Sequence, residues 1–134
     1  MSNKKLYSIG TFSKITGLSP DTIRFYEKKD LIHPEHGPRQ LRQYTDAHVD
    51  HVALLLRLKA AGFTLDEIHT YTNYRGQGPE TIPTRLRLMR EKVESLHEKQ
   101  SDIEASIKYL NEKMEFLKKG EFYNQVSHFR KMTK

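Results

Sequence analysis

Leu18-Ser19-Pro20-Asp21-Thr22-Ile23-Arg24-Phe25-Tyr26-Glu27-Lys28 is the stretch whose reading decides the fold. It predicts a short helix with Ser19 as hydroxyl N-cap and Pro20 at the first helical position, where a missing N–H costs nothing. Asp21 and Thr22 fill the first turn, where a carboxylate complements the positive end of the helix dipole. Ile23 is the expected inward anchor. Upstream, Ile9-Gly10-Thr11-Phe12-Ser13-Lys14-Ile15-Thr16 predicts another short amphipathic helix, closed by Gly17. Two short helices joined by a glycine-containing turn make a helix-turn-helix. In that motif the second helix enters the DNA major groove, N-terminal end first. The expectation is that this helix reads DNA through Ser19, Thr22, Arg24, Phe25, Tyr26 and Lys28.

Working outward, Leu31-Ile32-His33-Pro34-Glu35-His36-Gly37-Pro38-Arg39 cannot be a regular helix, because its prolines and glycine force a turn. Gln40-Leu41-Arg42-Gln43-Tyr44 is short and expected to be extended, so residues 32 to 44 predict a small β wing. Arg39 and Arg42 sit on that wing beside Tyr44, placed to grip phosphates flanking the groove.

A third helix is expected from its N-cap, Thr45, with Val49, Val52, Ala53, Leu56 and Ala60 on its buried face and Gly62 at its end. Then Phe63-Thr64-Leu65-Asp66-Glu67-Ile68 pairs a Thr64/Glu67 capping box with a Phe63/Ile68 hydrophobic staple. A fourth helix should begin there and reach Tyr71 or Thr72. Residues 73 to 83 contain Gly76, Gly78, Pro79 and Pro83, and form the expected linker.

Beyond the linker, Ile82, Leu86, Met89, Val93, Leu96, Gln100, Ile103, Ile107, Leu110, Met114 and Leu117 alternate spacings of four and three. That is a heptad repeat, apolar except at Gln100. A helix of roughly 35 residues is about 50 Å long at about 1.5 Å per residue. A small N-terminal domain cannot bury so long a stripe, and a second copy of the chain is the simplest partner. Charges at the flanking positions do not decide between parallel and antiparallel pairing. The expected organisation is a DNA-binding domain over residues 1–72, the linker over 73–83, a dimerisation helix over 84–119 and a short tail over 120–134. In the tail, Phe122, Tyr123, Val126 and Phe129 fall at helical spacing and could dock on the dimer.

Composition narrows the remaining classes. The apolar fraction is 36%, the charged fraction 30%, and mean hydropathy is −0.76. No run approaches a membrane span, and the start lacks a hydrophobic signal region, so a cytoplasmic protein is expected. The absence of cysteine excludes disulfides, thiolate metal sites and thiol redox sensing. Net charge is +6, which suits a polyanionic partner. The charge is not concentrated where DNA reading is expected: residues 1–72 hold ten Lys/Arg against eight Asp/Glu, a net of only +2. The case for DNA therefore rests on the motif.

At this point the chain resembles the MerR family of transcriptional regulators over nearly its whole length. Ile9-Gly10, Gly17, Thr22 to Glu27, Leu31-Ile32 with Pro34, Arg39, Arg42 with Tyr44, and Gly62-Phe63-Thr64-Leu65 with Glu67-Ile68 follow that family's pattern in order. Tyr74-Arg75-Gly76 through Arg85-Leu86 resembles a small-sensor subgroup linked to aldehyde or electrophile response. The resemblance implies a winged helix-turn-helix domain, followed by a long helix that forms an antiparallel coiled-coil homodimer. It implies binding to double-stranded promoter DNA, bending and untwisting of an over-long spacer, and an indirect action on RNA polymerase. Arg24 matches the family's recognition arginine, Arg42 and Tyr44 its wing residues, and Lys59 a phosphate-contacting lysine. Three positions depart from the pattern. Phe25 replaces a commoner tyrosine, Asp30 stands where glycine is usual, and Gln40-Leu41 replaces Gly-Tyr. Without cysteine, the thiolate-based sensing of relatives cannot operate. A small-molecule effector is expected to bind near the coil end, the linker or the tail.

Other classes are weaker. His48 and His51 lie one helical turn apart near Asp46 and Asp50, a set that could bind zinc or nickel. Helix-surface histidines without such a role are commoner, so no metal or cofactor is assigned. No glycine-rich phosphate loop, cysteine nucleophile or Ser/His/Asp set suggests an enzyme. An architectural, excisionase-like DNA-bending protein is the alternative, and an adaptor whose coil binds a different helix is a third.

Overall fold

The computed structural model describes residues 5–120, and the expected tail helix lies outside them. Two compact units divide the chain, Met1–Met89 and Arg90–Lys134.

The first unit opens with α1 (Ile9–Thr16), capped by Ser8, whose hydroxyl accepts from Thr11 N at 3.2 Å. Gly17 ends it at φ +79°, a left-handed position that glycine adopts without steric cost. The Ser13 hydroxyl donates to the Leu18 carbonyl at 2.5 Å and pins the turn. Then α2 (Pro20–Lys28) starts as the sequence predicts, with Ser19 Oγ accepting from Thr22 N at 3.1 Å. Phe12 from α1 and Ile23 from α2 are fully buried, so the two helices share one core.

The wing is smaller than its sequence suggested. Strands β1 (Glu35–His36) and β2 (Arg42–Gln43) pair antiparallel, Glu35 opposite Gln43 and His36 opposite Arg42. Between them Pro38–Gln40 makes a single tight turn, with Arg39 and Gln40 at φ +60° and +61°. Gln40 is therefore left-handed rather than extended. Tyr7 adds a bridge to Tyr44, with backbone N–H to carbonyl distances of 2.7 and 2.9 Å.

Helix α3 (Asp46–Ala60) follows Thr45, whose backbone N–H donates to His48 Nδ1 at 2.9 Å. Its buried residues are Val52, Leu55 and Leu58, whereas Ala53 and Ala60, expected inward, are exposed. Residues 52 to 56 are all apolar, so periodicity alone could not set the phase of this helix. Helix α4 (Leu65–Gln77) shows the reciprocal capping box: Glu67 N donates to Thr64 Oγ1 at 3.1 Å and Thr64 N to Glu67 Oε1 at 2.8 Å. Phe63 and Ile68, the staple pair, are both buried.

The expected linker is mostly helix. α4 runs through Asn73 to Gln77 and absorbs Gly76, since one interior glycine costs only about 1 kcal/mol. The break falls at Gly78, φ +114°, followed by one 3-10 turn, Pro79–Thr81. There the buried Thr81 hydroxyl lies 2.7 Å from the Tyr74 carbonyl and 2.8 Å from that of Gly78, and it accepts from Arg85 Nε at 3.0 Å. Next comes α5 (Ile82–Lys118), 37 residues long, with Pro83 in its first turn, where no intrahelical N–H bond is needed.

Along α5 the heptad residues lie open. Leu86, Val93, Leu96, Ile103, Ile107, Leu110, Met114 and Leu117 are all exposed large apolar side chains, with Ile103 at 59%. Gln100 is exposed among them. Met89 differs, because it packs against the core of the first unit.

Candidate nucleic-acid interface

The geometry of α2 follows from its period. Ile23 and Tyr26 turn into the core, which leaves Arg24, Phe25 and Lys28 exposed. Ser19 is exposed at the helix start and Thr22 half-buried, their hydroxyls joined at 2.9 Å. Arg24 NH1 donates to Asp21 Oδ1 at 3.2 Å, and Asp21 is almost wholly exposed. This exposed (i, i+3) pair is weak, so the guanidinium can exchange Asp21 for another acceptor at small cost.

On the wing, Arg39 and Arg42 are exposed. Arg42 Nε donates to Glu27 Oε1 at 2.7 Å, and Tyr44 donates its hydroxyl to the other oxygen, Glu27 Oε2. Glu27 is thus the bracket between α2 and the wing. Arg24 and Arg42 both line one cleft of about 390 Å³, together with Tyr7, Gln40 and Leu41. That arrangement brings two cationic side chains to one cleft, a charge of the sign that phosphates attract.

Two expected contact residues are instead core. Tyr44 is fully buried and stacks on Phe12, ring centroids 4.2 Å apart and 3° from parallel. Burial, followed by its hydrogen bond to the Glu27 carboxylate, pushes the phenol well above its usual range. It holds the wing in place rather than reaching out from it. Tyr26 is only 3% exposed, and its hydroxyl lies 3.4 Å from Lys59 Nζ, which also sits 5.9 Å from the ring centroid. Lys59 itself is exposed. Lys29, which no sequence motif singles out, places its ammonium 5.7 Å from the Phe25 ring and extends the basic edge.

The histidines read as a possible metal set do other work. His48 holds the Thr45 N–H on Nδ1 and contacts the His33 carbonyl through Nε2 at 2.7 Å, while His51 Nε2 contacts the Leu31 carbonyl at 2.8 Å. Both rings therefore tie α3 to the segment leaving α2. Asp30, at φ +62°, places one carboxylate oxygen 2.5 Å from His33 Nε2 and the other 2.9 Å from His69 Nε2. Those hydrogen bonds, His69 first, hold its carboxyl below the usual carboxylate range. Asp30 thus links the end of α2 to the wing segment and to α4, a connection between residues 39 positions apart that the sequence did not signal.

Residues 7–75 match the family described as MerR HTH family regulatory protein, and residues 49–113 match that described as MerR, DNA binding. The chain belongs to the MerR family. It is 31% identical over 97 residues to the HTH-type transcriptional regulator CueR of Vibrio cholerae serotype O1, a match covering 72% of this chain and 70% of that relative. It is 38% identical over 66 residues to the HTH-type transcriptional regulator TnrA of Bacillus subtilis (strain 168), covering 49% of this chain and 60% of TnrA. The mercuric resistance operon regulatory protein of Pseudomonas fluorescens is 37% identical over 67 residues, and the chain spans only 46% of that relative. Among solved structures, the MerR family regulator HiNmlR, described as lacking the sensor domain and bound to promoter DNA, has a TM-score of 0.67 at 25% identity. It covers 86% of this chain and 92% of its own. The N-terminal part of MtaN, the Bacillus subtilis multidrug transporter activator, shares the fold at a TM-score of 0.67 and 24% identity, covering 81% of this chain and 97% of its own. No helix among the described residues is long and apolar enough to cross a membrane.

Proposed function

We propose that this MerR-family chain is a sequence-specific DNA-binding transcriptional regulator acting as a homodimer on a two-fold symmetric promoter site. The observation that carries this reading is the pairing of two features in one chain. Arg24 and Arg42 line a single cleft with wing residues, and the apolar heptad stripe of α5 is exposed from Val93 to Leu117. Apolar area of that extent stabilises a partnered helix at about 25 cal/mol per Å² removed from water, and a second copy supplies an identical stripe. HiNmlR, similar over most of this chain, is bound to promoter DNA, which supports promoter DNA as the ligand here.

In this reading Ser19, Arg24, Phe25 and Lys28 face the groove, with Thr22 at the helix start. Arg39, Arg42 and Lys59 contact phosphates. Two such faces, held apart by antiparallel α5 helices, read half-sites about one helical turn apart. The regulator then bends and untwists the spacer between promoter elements and so acts on RNA polymerase indirectly. Distorting a 20–30 bp site costs on the order of 1–6 kcal/mol, a range that altered contacts within a dimer can tip.

Transcription in vitro from promoters of stepped spacer length tests the proposal. Activation should appear only for over-long spacers. Bending of the same DNA with no spacer-dependent change in transcription would mark an architectural protein instead.

A further inference from the structure

A second cavity of the first unit is away from the Arg24/Arg42 cleft. It measures about 650 Å³ and lies among the end of α2, α3 and α4, lined by Asp30, His33, His51, His69, Asn73 and Arg75 among others. None of these residues has a part in DNA contact as described above. Three histidines and one arginine line this one space. Its single lining carboxylate, Asp30, already has both oxygens engaged by His33 and His69. Arg75 has no acidic partner or side-chain hydrogen bond among the described residues. A smaller cleft of about 380 Å³ shares His33, His51 and Arg75 with this cavity and adds His48 and Asp50.

We propose that this cavity binds a small anion, the carboxylate or phosphate group of a polar solute, with Arg75 and His51 as its principal anchors and His33 and Asn73 beside them. A guanidinium matches the planar or trigonal oxygens of either group through paired N–H donors. His51 adds a response to occupancy. Its Nε2–H is committed to the Leu31 carbonyl, which leaves Nδ1 as the nitrogen able to take up a proton. Burial holds its pKa below the ordinary value against the opposing hydrogen bond to Leu31, and the neighbouring Arg75, His33 and His48 add to the lowering. An anion reverses the sign of this field and draws a proton onto the ring, so anion binding and proton uptake at His51 are linked. Asp30 and Asp50 are the carboxylates nearby; the first is held by two imidazoles and the second lines only the smaller cleft. Through Asp30, occupancy reaches the C-terminal end of α2.

The inference goes beyond the proposed function, and its test uses no DNA, so either can fail alone. The full chain is titrated at constant ionic strength with inorganic phosphate, and separately with succinate, while the imidazole resonances are followed by NMR. Saturable movement of the His51 signals, with a raised His51 pKa at saturation, is expected for at least one anion. Saturation by phosphate alone identifies a phosphate site, and by succinate alone a carboxylate site. Arg75→Gln, on an exposed position of α4, should weaken binding about tenfold, and Arg24→Gln should leave it unchanged. Linear, unsaturated shifts with both anions would overturn the proposal. So would saturable binding that survives Arg75→Gln but is lost in Arg24→Gln, since the anion would then occupy the DNA face.

Discussion

Glu27 Oε1 accepts a hydrogen bond from Arg42 Nε at 2.7 Å, which joins the wing to the helix that carries Arg24. The same carboxylate takes the buried Tyr44 hydroxyl on its second oxygen. The spacing of the two arginines across the cleft therefore depends on one nearly buried acid, 10% exposed at the side chain.

Glu27→Gln should destabilise the fold by about 1.5–3 kcal/mol, the range for hydrogen bonds to a charged group. Most of that loss belongs to the Tyr44 bond, because Arg42 is 43% exposed and solvent screens its share. A thermal melt followed by circular dichroism should show a drop of several degrees. An unchanged midpoint would mean that the bracket contributes nothing to stability.

The raised phenol of Tyr44 has a consequence at high pH. In the unfolded chain the group ionises near its usual value of 10.0, whereas in the folded chain it remains neutral well beyond that. Its contribution is complete below pH 10 and falls away as pH rises past it. Stability measured by urea unfolding should decline above pH 10, and Tyr44→Phe should flatten that decline while lowering stability at neutral pH. Identical alkaline slopes in the two proteins would contradict the assignment.

Arg24→Ala should remove specific DNA recognition while leaving oligomeric state and melting temperature unchanged. Each good bidentate base contact carries about 1–3 kcal/mol of discrimination, and the ion pair of Arg24 with Asp21 is exposed and so adds little to stability. Gel-shift competition between specific and random DNA measures the difference. Retained preference would move the recognition role to another residue.

Asp30 sits at φ +62°, where a non-glycine residue costs about 1–2 kcal/mol. Asp30→Gly removes that strain but also the bonds to His33 and His69. Asp30→Ala keeps the strain and loses the same bonds. The alanine variant should therefore be the less stable of the two by about 1 kcal/mol or more, read from urea midpoints. The reverse order would show that the left-handed backbone is not strained here.

Local signals were legible where one residue type has one physical use. Ser19-Pro20, Gly17, and the box of Thr64 with Glu67 placed helix starts and stops correctly, and the four-three spacing located the stripe of α5. The phase of α3 was not legible, because residues 52 to 56 are apolar on every side. Gly76 and Pro83 read as breakers in the sequence, yet one sits inside a helix and the other in a first turn. At the candidate interface, Tyr44 looked like a phosphate-contacting residue from its place beside Arg42. Its burial depends on Phe12 and Glu27, 32 and 17 positions away, and nothing local encodes that packing. The Asp30–His69 contact was hidden for the same reason.

Gln100 interrupts an otherwise apolar stripe on α5. In a dimer, Gln100→Leu should raise the melting temperature and loosen register, as removal of a single polar seam residue does in coiled coils. Cross-linking through single cysteines introduced along α5 should then report more than one register. One register with an unchanged melting temperature would remove the specifying role from Gln100.

The most direct test of the central claim is selection of bound sequences from random double-stranded DNA by the purified chain. A two-fold symmetric sequence should be enriched, its half-sites about 34–36 Å apart centre to centre, or a multiple of that distance. Enrichment of a single unsymmetric half-site, or of no sequence at all, would contradict that claim.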